Sequence, residues 1–210
     1  MKATMWKRVL AEMPLIVILR GILPEEAADI AAALTAAEIL CVEVPLNSPD
    51  APASIANIRK AQGDKLMVGA GTVLTTQELP VIVDAGAQFV VSPNTNPAVI
   101  AATKRFGLMS LPGFVTPSEA FAAIDAGADA LKLFPTDSAR PAALRALKEV
   151  LPKRVPVFPV GGVSVETMDG YLRAGAAGFG IGSAIYRPAM DAAIVRENAT
   201  RFVEAWRAHR

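Results

Sequence analysis

The sequence predicts an α/β fold, a single-domain (β/α)8 TIM barrel, and three observations predict it. One is an internal echo in which a helix end runs into a strand: Asp84-Ala-Gly-Ala-Gln-Phe-Val-Val-Ser-Pro93, Asp125-Ala-Gly-Ala-Asp-Ala-Leu-Lys-Leu-Phe-Pro135 and Arg173-Ala-Gly-Ala-Ala-Gly-Phe-Gly-Ile-Gly-Ser183. A weaker copy, Thr35-Ala-Ala-Glu-Ile-Leu-Cys-Val-Glu-Val-Pro45, lacks the glycine. The copies lie 41 to 49 residues apart, room for two helix-strand units, so they mark βα alternation throughout. A second observation is that short apolar runs, each followed by an amphipathic helical pattern, recur from end to end. The third is that no linker interrupts the 210 residues, a length that suits one substantial core.

Taken in order, a short helical segment precedes the first strand, and the strands are expected at 15–20, 39–44, 66–70, 89–92, 108–111, 130–134, 157–160 and 178–181. The helix starts carry hydroxyl, Pro and acid signals at Pro24-Glu25-Glu26, Thr75-Thr76-Gln77-Glu78, Thr116-Pro117-Ser118-Glu119 and Ser164-Val165-Glu166. Phe202 and Trp206 at helical spacing dock a final helix. The whole of residues 1–210 reads as one domain. A doubly wound open sheet is the competing architecture; the turn after the first strand, Arg20-Gly21-Ile22-Leu23-Pro24, lacks its Gly-x-Gly-x-x-Gly.

Bulk properties narrow the function. Lys and Arg total 21 against 20 for Asp and Glu, with no long charged block, which argues against a nucleic-acid partner or a charged membrane surface. Hydrophobic residues reach 52% but come in pieces shorter than the ~18 residues that span a bilayer. The segment Met1 to Glu12 has no apolar leader with a cleavage site, so the expected location is the cytoplasm. One Cys and one His, at 41 and 209, cannot build a Cys-based zinc site or a His cluster; a magnesium site made of carboxylates alone stays open. Chemistry, if there is any, falls to Lys, Glu, Asp, Arg or hydroxyls.

Of the eight lysines, only Lys132 is flanked on both sides by strand-type apolar residues. Alternation puts Leu131 and Leu133 on one face and Lys132 on the other. A lysine drawn into an apolar interior loses charge, and the neutral amine is a nucleophile toward carbonyls; the plain alternative is an edge-strand lysine whose head reaches water. Glu43 has the same parity between Val42 and Val44. It is read as an inward acid, with a buried ion pair to Arg20 or Lys132 as a compatible structural role. Cys41, one layer deeper, reads as packing.

In a barrel the strand ends deliver the site. Here they deliver Arg20, Glu43, Thr72, Asn94, Pro112-Gly113, Lys132, Gly161-Gly162 and Gly182-Ser183. The glycines after the last two strands suit a phosphate, because bare N–H groups and a helix N-terminus converge there. Asn47-Ser48-Pro49, Asp137 and Ser138 lie in loops over the same face.

With Leu19-Arg20-Gly21, Val42-Glu43-Val44, Gly69-Ala70-Gly71-Thr72-Val73, Ser92-Pro93, Leu111-Pro112-Gly113, Leu131-Lys132-Leu133-Phe134-Pro135 and Val160-Gly161-Gly162-Val163, the chain resembles the 2-keto-3-deoxy-6-phosphogluconate and 6-phosphogalactonate aldolases over essentially its whole length. The resemblance implies a cytoplasmic homotrimer that needs no metal or cofactor. It implies a Schiff-base cleavage of a phosphorylated keto-deoxy sugar acid to pyruvate and glyceraldehyde 3-phosphate. Lys132 would form the imine and Glu43 act as acid and base; Arg20 and Thr72 would hold the carboxylate, and Gly161, Gly162, Gly182 and Ser183 the phosphate. Leu46-Asn47-Ser48-Pro49 and Val160 stand where the gluconate enzymes carry Leu-Arg-Thr and Thr, which favours the galactonate substrate over its epimer. Ala36-Ala37-Glu38 departs from the family's Ala-Gly at a helix end. Two other readings share the glycine loops: an isomerase or synthase on a phosphate-binding barrel, and a sugar-phosphate sensor without catalysis. Neither needs a lysine in an apolar strand.

Overall fold

The computed structural model describes residues 2–209. The chain opens with α1 (Lys2–Glu12) and β1 (Leu15–Ile18), then alternates α2 (Ala27–Ala36), β2 (Cys41–Pro45), α3 (Ala51–Gln62), β3 (Met67–Gly71), α4 (Leu79–Asp84), β4 (Phe89–Val91) and α5 (Pro97–Arg105). It continues through β5 (Met109–Leu111), β6 (Gly113–Phe114), α6 (Pro117–Asp125), β7 (Leu131–Leu133), α7 (Pro141–Val150), β8 (Val157–Pro159), α8 (Val165–Arg173), β9 (Phe179–Ile181) and α9 (Ala192–Ala208).

Every strand pairing is parallel. Six strands form one curled sheet in the order β5-β4-β3-β2-β1-β9, and three form a second in the order β6-β7-β8. The eight strands expected from the sequence are therefore described among residues 2–209 as nine, in two sheets. The break falls at Pro112, which has no N–H for a ladder; its carbonyl instead accepts from the backbone N of Lys132 at 2.9 Å. A lone parallel bridge, Val160 to Gly180, links the end of β8 to β9.

One expected helix start is built differently from the expectation. Thr116 and Glu119 form the anticipated reciprocal cap on α6, and Ser164 caps α8, its backbone N donating to Thr167 Oγ1 while the Glu166 carboxyl is held down by a hydrogen bond with the Ser164 side chain. Glu26 makes no side-chain cap on α2; its carboxylate accepts from the Leu23 backbone N and from Tyr186 Oη. The flanking helices meet expectation: Phe202 and Trp206 are buried as α9 packs on α2 and α8, and Trp6 of α1 stacks at a tilt on Phe158, centroids 5.8 Å apart.

The weaker copy of the echo has a structural meaning. Gly86, Gly127 and Gly175 end their helices at positive φ, and the residue at the matching place after α2 is Glu38, at φ 64. An L side chain is strained there. Glu38 meets Arg207 Nη2 of α9 at 2.7 Å, an exposed pair with side chains 62% and 54% accessible that offsets little of the strain. Replacing Glu38→Gly is expected to raise the Tm by on the order of 2–4 °C in thermal denaturation, while Glu38→Val lowers it; a lower Tm for the glycine variant would contradict the strain.

Candidate active site

β7 is short, buried and framed by parallel neighbours, with Lys132 in register with Gly113 on one side and Phe158 on the other. Leu131 and Leu133 turn into the apolar core, so alternation sends the Lys132 side chain the other way. It is only 7% exposed. What exposure it has opens onto a cavity of ≈ 580 Å³, within the range of small-molecule sites. Its Nζ lies 4.7 Å from the centroid of the Phe134 ring, a favourable place for a cation and an apolar one for the neutral amine.

Glu43, in the middle of β2, is 3% exposed and in register with Ile18 and Gly69. Space for its carboxyl comes from the next strand: a Cβ on Gly71 would fall on Glu43 Oε2. That oxygen has no hydrogen-bond partner among the described residues. The buried ion pair with Arg20 or Lys132, the structural role weighed above, is not made by this atom. Arg20 turns its Nη1 to Asn47 Oδ1, 2.6 Å away.

Burial governs the electrostatics of both groups. Desolvation pushes the Glu43 carboxyl above its usual range, against the pull of the Lys132 and Arg20 charges. Desolvation also lowers Lys132, helped by the Arg20 charge and opposed by Glu43. Amine and acid are thus both shifted in the direction of their uncharged forms, the forms a nucleophilic amine and a proton donor require, with Lys132 on the cavity wall and Glu43 buried outside its lining. Beneath them the Cys41 thiol is raised by burial and then by Glu43, and stays inert packing.

Of the residues read from the sequence, Arg20, Lys132, Val160, Gly161, Gly162, Gly182 and Ser183 line the one cavity. Gly161 and Gly162 both take positive φ, 99 and 67, which presents successive backbone groups at the end of β8. Ser164, the N-cap of α8, lines the cavity as well and brings a helix N-terminus to it. Thr72 follows β3 at φ 58, half-buried, and stands outside that lining. Asn47 reaches the site through Arg20, and Ser48 Oγ accepts from the Gly21 backbone N at 2.9 Å, so this loop is tied to the Arg20 turn. Asp137 lines a neighbouring cavity that shares Gly162, and Ser138 lines neither. Sequence reasoning passed over Ile18, Tyr186 and Arg187, all on the cavity wall. The signal for Arg187 was present: it is the first charged residue after the Gly182-Ser183 turn.

The family described as KDPG and KHG aldolase matches residues 7–202 of the chain. A 2-dehydro-3-deoxy-6-phosphogalactonate aldolase of Escherichia coli K12 is 43% identical over 196 residues, 93% of this chain and 96% of its own. A solved structure described as native KDPGal superposes with a TM-score of 0.92 at 43% identity, over 94% of this chain and 96% of that one. A KDPG aldolase of Legionella pneumophila, solved with pyruvate captured at low pH as a covalent carbinolamine intermediate, superposes with a TM-score of 0.80 at 29% identity, over 95% of each chain.

The contact between Glu43 and Gly71 can be tested on its own. Gly71→Ala is expected to destabilise the protein by about 1–3 kcal/mol through overpacking, and Glu43→Ala in the same chain should recover most of that loss, because the methyl group meets that carboxyl. Chemical denaturation of the two single variants and the double variant measures the coupling; strictly additive losses would show that the two residues do not share the space.

Proposed function

Because this chain belongs to the KDPG and KHG aldolase family, we propose that it is a class I, Schiff-base aldolase that cleaves 2-dehydro-3-deoxy-6-phosphogalactonate to pyruvate and D-glyceraldehyde 3-phosphate. It is a carbon–carbon lyase. The observation that carries the mechanism is the pairing of Lys132 with Glu43: a lysine lowered by burial at a cavity wall, coupled to an acid raised by burial.

The cycle starts from neutral amine and protonated acid. Lys132 attacks the C2 carbonyl carbon, Glu43 gives its proton toward the departing oxygen, and loss of water from the carbinolamine leaves an iminium. Glu43, now a carboxylate, takes the C4 hydroxyl proton directly or through a water. The O–H electron pair becomes the aldehyde carbonyl, and the C3–C4 pair moves through the enamine onto nitrogen. D-glyceraldehyde 3-phosphate departs, Glu43 returns the proton to C3, and water hydrolyses the iminium to release pyruvate and the neutral amine, the proton set free in that step going back to Glu43. Burial favours this starting state.

In this reading Arg20, fixed by Asn47, holds the pyruvate-end carboxylate together with Thr72, and Gly161, Gly162, Gly182 and Ser183 hold the phosphate. The same reading takes the two sheets as one (β/α)8 barrel, supported by the unbroken chain across Pro112 and the Val160–Gly180 bridge, and the assembly as a homotrimer working in the cytoplasm. The galactonate enzyme of Escherichia coli supports the choice of substrate, and the pyruvate carbinolamine of the Legionella enzyme supports the covalent step.

Borohydride reduction in the presence of pyruvate tests the imine. The expected result is a pyruvate-derived mass on the peptide that contains Lys132, absent in Lys132→Met, with cleavage abolished in that variant and its fold retained. Turnover close to wild type in Lys132→Met would sink the assignment.

Substrate choice is tested at Val160, whose methyl groups lie over Gly180 at the end of β8. A hydroxyl placed there by Val160→Thr would offer a hydrogen bond at the C4 end of the sugar acid. One neutral hydrogen bond made in the transition state contributes about 0.5–1.5 kcal/mol, so the gluconate-to-galactonate ratio of kcat/KM is expected to rise roughly twofold to tenfold. A wild type that strongly prefers the gluconate isomer, or an unmoved ratio in the variant, would place discrimination elsewhere, with the Asn47 loop the first candidate.

A further inference from the structure

We infer that Arg187 binds the phosphate of the substrate, supplying the positive charge that the glycine turns lack; this rests on the aldolase reading above. The cavity is lined by no acidic residue and by three basic ones, Arg20, Lys132 and Arg187. A phosphorylated sugar acid brings two anionic groups to it, and the three cations divide by position. Lys132 is lowered toward its neutral form and is committed to the carbonyl. Arg20 is already engaged by Asn47, from the loop after β2. Arg187 lies in the same segment after β9 as Gly182 and Ser183, separated from them by Ala184, Ile185 and Tyr186, at the end of the cavity that the reading assigns to phosphate.

Arg187 is an exposed residue whose guanidinium is fastened along one edge. Its Nε donates to the Ser183 carbonyl at 3.0 Å, which fixes the plane of the group against the turn. No hydrogen bond or ion pair to its two Nη atoms occurs among the described residues. Both neighbours in the chain are anchored. Tyr186 is buried with its Oη on Glu26 at 2.7 Å, and the Pro188 ring sits on Gly21, where a Cβ would come within 2.7 Å of Pro188 Cγ. The outcome is a planar fork with one edge fastened and the other free, facing a cavity whose remaining phosphate partners are neutral backbone groups and a hydroxyl. An arginine fork suits a phosphate because two N–H groups meet two oxygens at once.

The test compares wild type, Arg187→Ala and Arg187→Lys in three assays: steady-state cleavage of the phosphorylated sugar acid, competitive inhibition by inorganic phosphate, and the pyruvate dependence of borohydride inactivation, which involves no phosphate. A charged hydrogen bond to phosphate contributes enough to raise KM about 10- to 100-fold when lost. Arg187→Ala is therefore expected to raise KM and the inorganic phosphate Ki together by about that factor. Half-saturation by pyruvate should stay at the wild-type value, and Arg187→Lys should fall between wild type and Arg187→Ala. An unmoved KM and Ki would overturn the inference, as would equal rises in KM and in pyruvate half-saturation, which would mean that Arg187 merely supports the turn. The aldolase reading fails separately, and takes this inference with it, if the wild type is not inactivated by borohydride with pyruvate.

Discussion

Desolvation of Lys132 and Glu43 is the constraint on which the rest of the structure depends. Moving a charged amine and a carboxylate out of water costs several kcal/mol each, and the attraction between them recovers that only when the geometry is tight and the remaining polar atoms are satisfied. Here Glu43 Oε2 lacks any hydrogen-bond partner among the described residues, and burial shifts both groups in the direction of their uncharged forms, which lessens that cost. The parallel sheets make this state enforceable. Leu131 and Leu133 anchor β7 in the core, the Pro112 carbonyl holds the Lys132 backbone N, and the β1–β2–β3 register holds Glu43. A loop could not keep either side chain from water with the same certainty.

The acid is accommodated by removing side chains from its neighbours. On β3 the positions that share the inner face are Met67, Gly69 and Gly71; Gly69 lies under the Phe89 ring and Gly71 under the Glu43 carboxyl. Each glycine weakens a strand interior a little, since it adds backbone entropy to the unfolded chain and packs nothing itself. In return a phenyl ring and a carboxyl fill the space without leaving a void, and interiors tolerate neither voids nor overlap. This also explains why Cys41 suits its place: a small neutral thiol below Glu43 adds no second charge to a region that already disfavours one.

Much of this was legible because strand parity is local. Whether Lys132 opposes its leucines and Glu43 its valines follows from alternation alone, and both proved buried. The echo located the helix ends for the same reason, since a left-handed residue after a helix is a short-range demand, and even its imperfect copy marked Glu38. Other features depend on distant parts of the chain and left no local trace. Pro112 breaks a ladder only because β4 and β7 lie on either side of it. Glu26 reads as a cap by composition, yet its carboxylate goes partly to Tyr186, 160 residues later. Arg187 went unread because an exposed arginine in the loop between β9 and α9 is ordinary until the loop is seen to line the cavity.

The two ends of the cavity are mechanically linked, and the link follows from topology. β1 pairs directly with β9, so the turn after the first strand and the turn after the last are neighbours although they are farthest apart in sequence. The first carries Arg20 and the second carries Ser183 and Arg187. Tyr186 on Glu26 and Pro188 on Gly21 fasten one turn to the other, while Asn47 and Ser48 fasten Arg20 and Gly21 to the loop after β2. Three successive turns of the six-stranded sheet are therefore fastened to one another, which favours a separation between the groups proposed to hold carboxylate and phosphate that is set before substrate arrives. That matters for a carbon–carbon cleavage, where the bond that breaks must be held in line with the iminium, because a substrate pinned at both anionic ends reaches that alignment with little further loss of freedom. Lys132 and Glu43 then need only be correct relative to this frame, and the β1–β2 register, which sets Ile18 beside Glu43 two residues before Arg20, ties Glu43 to it.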